Sequence, residues 1–167
     1  MEKKRVVVFL DVDGVLNSVH SKEDIENDKV AILKKICKLG DSRIILSSTW
    51  KVLYQNEELS PEEEKMRKML ENALEKQGLR ISGFTPDKGK LGRPTECRRW
   101  LEMHPGAFDA VLILDDEFSQ EDYDKVGLGS YLIQTKFFVV SPEEGGLQKK
   151  HIKIAEKILE KGYMEEK

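Results

Sequence analysis

Asp11 and Asp13 stand two residues apart at the end of an apolar run, Val6-Val7-Val8-Phe9-Leu10, with Gly14 directly behind them. Two further sets of polar groups begin in the same way, where an apolar run stops. Ser47-Ser48-Thr49-Trp50 follows Ile44-Ile45-Leu46, and Asp115-Asp116-Glu117 follows Val111-Leu112-Ile113-Leu114. Carboxylates without histidine or thiolate partners favour a hard cation, and magnesium is bound through a few carboxylates while keeping waters and phosphate oxygens. Hydroxyls and one cationic side chain can hold the remaining oxygens of a phosphoryl group. The chemistry implied is therefore a divalent cation with a phosphate. A plain Asp-Gly turn would account for Gly14, but not for the matching features downstream.

The elements that must position these groups follow from periodicity. The three apolar runs read as buried strands, and strands alternating with helices argue a parallel sheet sandwiched by helices, with its ligand crevice outside the carboxyl ends of the strands. Val30, Leu33, Ile36 and Cys37 recur at helical spacing and Gly40 stops that helix. Residues 51–60 read as an irregular charged connection. Ser60-Pro61-Glu62-Glu63 has the cap, first-turn proline and acidic first turn of a helix running to about Gln77. Leu79 to Phe84 is a short strand, and residues 85–93 form a basic, glycine-containing loop. Pro94 opens a helix bearing Cys97, Trp100 and Leu101, residues 131–140 include an edge strand, and Leu147 to Leu159 forms a closing amphipathic helix.

The chain has 167 residues, 28 basic and 31 acidic, for a net charge of −3, so the whole molecule does not attract nucleic acid electrostatically. A local basic strip is still compatible with that total. The length suits one domain spanning residues 1–167. Cys37 and Cys97 lack the spacing of a zinc site and read as reduced thiols, which suits a cytoplasmic protein. Residues 1–10 superficially resemble a signal peptide, but the apolar run is too short and leads into acids. No stretch approaches a membrane span, so no membrane partner is expected.

Asp11-Val12-Asp13-Gly14-Val15-Leu16-Asn17 resembles the first motif of the haloacid dehalogenase (HAD) superfamily, residues 45–50 its second and residues 111–116 its fourth. More narrowly, residues 47–50, Arg93-Pro94-Thr95-Glu96 with Trp100-Leu101, residues 114–117 and Gly146-Leu147 are similar to a small group related to the phosphatase modules of RNA-repair proteins. The resemblance implies a single Rossmann-like α/β domain with a minimal cap, acting as a magnesium-dependent phosphomonoester hydrolase. Asp11 would be the nucleophile that forms an aspartyl-phosphate. Asp13 would protonate the leaving oxygen, activate the hydrolytic water and offer its main-chain carbonyl to the metal. Ser47 would hold a phosphoryl oxygen with Ser48 beside it, and Asp116 would complete the metal shell with Asp115 behind it or in its place. The cation of the third motif would be Arg93, placed at a helix start by Pro94, ahead of Lys90 and Lys88.

His20, His104 and His151 read as bystanders, Arg98 and Arg99 as surface or carboxylate-paired groups, and Trp50 as a core aromatic that at the mouth would stack on a base. A receiver-type signalling module also gathers acids, a hydroxyl and a lysine around magnesium, but its phosphorylated aspartate sits alone on a middle strand. An inactive binding member is the other rival. From Asp11 to Ser47 there are only 36 positions, filled by a loop and one helix, which leaves no room for a separate cap. The resemblance implies that a member without a cap acts on an extended phosphorylated substrate, with a nucleic-acid end leading and Lys88, Lys90, Arg93, Arg98 and Arg99 as its basic edge. The alternative is a small-metabolite phosphatase enclosed by loops near Asn17 and Gln55. The sequence leaves the oligomeric state open.

Overall fold

A computed structural model of the protein describes residues 3–87 and 90–163. The strands are β1 (Arg5–Leu10), β2 (Asp41–Leu46), β3 (Ile81–Phe84), β4 (Ala110–Asp115) and β5 (Leu132–Gln134), hydrogen-bonded in the order β3-β2-β1-β4-β5 with every pairing parallel. The helices are α1 (Asn27–Cys37), α2 (Val52–Gln55), α3 (Pro61–Lys76), α4 (Arg93–Met103), α5 (Gln120–Asp124) and α6 (Lys150–Lys161).

Side chains alternate across a strand, and here both faces are apolar. Val6, Val8 and Leu10 point with Leu112 and Leu114 into a core closed by α1, α3 and α6 through Val30, Leu33, Leu70, Leu74, Ala155 and Leu159. Val7 and Phe9 point with Val111 and Ile113 to the other side, against Cys97, Trp100 and Leu101 of α4 and Tyr123 of α5. Each fully buried Val, Leu, Ile or Phe contributes about 1.5–3 kcal/mol. A one-residue slip of any central strand would exchange these two faces, so packing fixes the register. In that register Leu10 lies opposite Leu46 on one side and Leu114 on the other. The residues that follow, Asp11, Ser47 and Asp115, therefore leave the sheet side by side.

The α3 start bears out its sequence signal: Ser60 Oγ accepts from Glu63 N at 3.2 Å and Glu63 Oε1 accepts from Ser60 N at 3.0 Å, a reciprocal capping box ahead of Pro61. Three local expectations need correction. The connection read as irregular over residues 51–60 opens with the end of a 3₁₀ turn, Thr49–Lys51, and α2, elements too short to show a period. The polar segment after β4 contains α5, whose single buried anchor is Tyr123. Leu147 is buried but precedes α6, which begins at Lys150. Among the described residues no helix is long and apolar enough to cross a membrane, and no folded lid interrupts the connections after β1 and β2.

Candidate active site

Hydrogen bonding at the ends of the central strands aligns the polar groups. Asp11 N donates to Leu114 O at 3.1 Å and Ser47 N donates to Leu10 O at 3.0 Å. The Asp11 side chain is buried; its Oδ1 accepts from Val12 N at 2.9 Å and its Oδ2 from Arg93 Nη1 at 3.2 Å. Arg93 is the first residue of α4, preceded by Gly92 at φ 84° and followed by Pro94, and it turns inward with 7% of its surface exposed. It also donates from Nη1 to Asp115 Oδ1 at 2.7 Å and from Nε to Ser47 O at 3.0 Å, and its guanidinium lies 5.1 Å from the centre of the Phe118 ring. One planar fork thus ties three strand ends together.

The adjacent aspartates of β4 have separate surroundings. Asp115 is fully buried, and its carboxylate accepts from Arg93, from Glu117 N at 2.9 Å and from Tyr123 OH at 2.5 Å. Asp116 is half-buried and faces Asp11, and oxygens of Asp11, Asp115 and Asp116 lie within 4.8 Å of one another. Gly14, at φ 81°, makes this approach possible, because a Cβ there would fall 2.1 Å from Asp116 Cγ. Burial pushes the Asp11 carboxyl well above the ordinary carboxylate range, Arg93 opposes that rise, and Asp116 and Asp115 add to it. Asp116 is raised as well, mainly by burial. Burial alone would lower the Arg93 pKa, but Asp11 and Asp115 outweigh it and keep the guanidinium charged. Crowded carboxylates with more negative charge than Arg93 balances fit a hard divalent cation, and no histidine or thiolate belongs to the group.

Asp13 is exposed and its side chain lies outside that cluster of acids. Trp50 Nε1 donates to Asp13 Oδ2 at 3.1 Å and Asn17 Nδ2 donates to Asp13 Oδ1 at 3.1 Å. Asn17 is itself fixed: its Oδ1 accepts from Gly14 N at 2.8 Å and its Nδ2 also donates to Asp24 O at 2.7 Å. Thr135 Oγ1 donates to Gly14 O at 2.6 Å, anchoring the end of β5 to the same turn. Trp50 is 5% exposed, so it is the core aromatic expected, not a platform for a base.

Of the two serines, Ser47 is buried with its Oγ unpaired, whereas Ser48 Oγ accepts from Trp50 N at 3.1 Å and caps the 3₁₀ turn. A cleft of 210 Å³ opens here, lined by Ser47, Lys51, Arg93 and Glu96 among others. Larger cavities of 560, 630 and 580 Å³ run along the β3 edge, away from every acid of the cluster, so volume does not mark the chemistry. Lys90 is exposed in the loop before α4, and Lys88 lies outside the described residues. The expected basic edge does not form as drawn. Arg93 faces inward, Arg98 pairs with Glu102 at 3.4 Å and Arg99 with Asp87 at 3.2 Å.

Sequence reasoning missed Lys51, which is buried and donates from Nζ to Glu96 Oε1 at 2.5 Å and to Thr85 Oγ1 at 3.1 Å. That pair joins the loop after β2, the end of β3 and α4. It also missed Asn17 and Trp50 as partners of Asp13, and Tyr123 as a partner of Asp115. A signal for the last was present: successive residues leaving a strand point to opposite sides, so Asp115 and Asp116 had to meet different surroundings.

Comparison with known proteins agrees with this geometry. Residues 7–151 match the model of a family described as the HAD domain in Swiss Army Knife RNA repair proteins. No curated protein sequence matches the chain. The fold is similar to that of D,D-heptose 1.7-bisphosphate phosphatase from B. bronchiseptica, solved with magnesium and phosphate, at 16% identity and a TM-score of 0.53 over 96% of this chain and 99% of that one. A trehalose-6-phosphate phosphatase from Aspergillus fumigatus aligns at 12% identity and a TM-score of 0.42, over 95% of this chain and 94% of that one. Its central parallel sheet, the ordered motifs at the strand ends and a family match over most of its length place this chain in that family of HAD domains.

Proposed function

We propose that the protein hydrolyses phosphomonoesters with magnesium, through an aspartyl-phosphate on Asp11, and that its substrate is a phosphorylated nucleic-acid end. The observation that carries the chemistry is the contrast between two carboxylates two residues apart. Asp11 is buried against Arg93, and Asp13 is exposed and held only by neutral N–H donors. Environments that differ in this way assign different roles to paired acids.

In this reading Asp11 attacks phosphorus and the bond to the leaving oxygen breaks, while Asp13 gives that oxygen its proton. Water then attacks the phosphorus of the aspartyl-phosphate, Asp13 takes a proton from it, and Asp11 is released with inorganic phosphate. Trp50 and Asn17 hold the Asp13 carboxyl at the open side for both transfers. The unpaired Ser47 hydroxyl is free to donate to a phosphoryl oxygen, and Arg93 holds Asp11 in line beside it. Ser48, engaged as a cap, shapes the loop that presents Ser47, and Lys90 remains a surface charge near the mouth. Magnesium would be held by Asp11, Asp116 and the main-chain carbonyl of Asp13, with Asp115 behind them orienting Arg93, and when bound it would neutralise charge developing on the phosphoryl oxygens.

The nucleic-acid preference rests on the family's description as a domain of RNA repair proteins and on the absence of a folded lid among the described residues. A small-metabolite phosphatase is the alternative. Phosphate release should require magnesium and stop with chelator, and Asp11→Asn should be inactive yet folded. Full activity in excess chelator, or an active Asp11→Asn protein, removes the mechanism. Higher efficiency on a mononucleotide than on the matching phosphorylated oligonucleotide removes the substrate preference alone.

A further inference from the structure

The turn that carries Asp13 has an apolar outer surface that the catalytic scheme leaves unused. Phe138 is 82% exposed, Val140 95% and Val19 45%. Single exposed hydrophobic residues are ordinary, whereas a contiguous patch marks a surface that binds something. The two loops that carry these three residues are tied to each other. Val19 N donates to Phe137 O at 2.9 Å, and His20 Nε2 donates to Val139 O at 2.7 Å, so two loops form one lip. Phe137 and Phe138 meet edge to face with centres 4.9 Å apart, which fixes the direction of the exposed ring.

The lip is also attached to the chemistry. Val19 lies two residues after Asn17, which holds Asp13. The second loop is pinned at both ends to the turn after Asp13, by Thr135 Oγ1 to Gly14 O at 2.6 Å and by Leu147 N to Val15 O at 2.8 Å. In the proposed scheme Asp13 is the acid of the leaving group, and the lip is anchored to the turn that follows it. An acyclic polyol phosphate offers no flat face to an exposed phenyl ring, and a sugar offers only the C–H face of its ring. Every nucleobase offers a flat π-face that stacks on aromatic side chains without regard to sequence. Lys136 at the root of the same loop is exposed, but so are Glu143 and Glu144, so the lip's contact with a substrate is apolar rather than electrostatic.

We infer that the lip of Val19, Phe138 and Val140 stacks against the base nearest the scissile phosphate of a nucleic-acid end, making Phe138 a specificity-determining residue. The inference rests on the phosphatase reading above for the direction in which the leaving group departs.

The test compares wild type with Phe138→Ala, Phe138→Tyr and Val140→Ser on a short phosphorylated oligonucleotide, the same oligonucleotide abasic at its phosphorylated end, and glycerol phosphate. Stacking contributes enough that Phe138→Ala should raise KM for the oligonucleotide about tenfold with kcat little changed. The abasic oligonucleotide and glycerol phosphate should show no such change, and Phe138→Tyr should behave as wild type. Equal losses on all three substrates would make the loop merely structural, and no change on any would take the substrate off the lip. Unchanged kinetics with self-association that Phe138→Ala abolishes in sedimentation would give the patch to a second copy instead. Fluorescence anisotropy of the labelled oligonucleotide separates the two readings. Phe138-dependent binding without hydrolysis of any phosphomonoester would sink the phosphatase and keep the lip, whereas hydrolysis of glycerol phosphate with no oligonucleotide binding would do the reverse.

Discussion

The two halves of the site are built on opposite physical plans. On one side Asp11, Arg93 and Asp115 are buried ionisable groups, and Arg93 ties the two carboxyls together through contacts of 2.7–3.2 Å. On the other side Asp13 is exposed and is oriented by the indole N–H of Trp50 and the amide of Asn17, neither of which carries charge. The buried Arg93 holds Asp11 in place and opposes the rise in its pKa that burial causes. Asp13, to which the proposed scheme gives both proton transfers, lies on the wall without a charged partner among the described residues. The difference teaches that fixed geometry and variable charge are assigned to different walls of one crevice.

Substitutions on the charged wall should have the largest effects. Asp11→Asn should lower kcat by about four orders of magnitude or more while the thermal melt stays near wild type, as measured by phosphate release and calorimetry. Arg93→Met leaves two buried carboxylates without their partner and should cost about 3–5 kcal/mol of stability along with activity, seen as a lower midpoint in urea. An unaltered midpoint would mean that the two walls do not differ in the way described. The β4 aspartates sharpen the contrast within one wall. Asp115→Asn should destabilise the fold, because Arg93 and Tyr123 lose a charged acceptor, whereas Asp116→Asn should leave the melt intact and raise the magnesium concentration needed for half-maximal activity. The reverse pattern would exchange the two assignments.

The neutral wall should yield smaller and more selective losses. Trp50→Phe keeps the packing but removes the N–H that faces Asp13. It should lower kcat about tenfold on an alkyl phosphate and much less on nitrophenyl phosphate, whose leaving oxygen needs little help from an acid. A loss of equal size on both substrates would place Trp50 in packing alone.

These contrasts were unevenly legible in the sequence. The strands were readable because buried runs such as Val6–Leu10 and Val111–Leu114 leave few alternatives, and the acids at their ends were readable because their positions repeat. The partners were not. Trp50 reaches Asp13 across 37 positions, and Lys51 reaches Glu96 across 45. A lysine in a charged connection has the same local pattern whether it is solvated or buried against a glutamate. Arg93 could be preferred over Lys90 because Pro94 fixes a helix start, a local cue. That its guanidinium would be shared by Asp11, Asp115 and the Ser47 carbonyl depends on tertiary packing alone.

The strand order also governs when these contacts can form. β1 precedes the other strands of the sheet in the chain and lies at its centre, with β2 on one side and β4 on the other. Arg93 follows Asp11 by 82 positions, and Asp115 follows Arg93 by 22. A ribosome-bound chain that has exposed only its first half carries the aspartate with neither its guanidinium nor its flanking strand β4. Pairing over such separations is intrinsically slow, and it leaves β1 with an open hydrogen-bonding edge while translation proceeds. Until β4 is available, that open apolar edge is a place where another chain can pair in its stead.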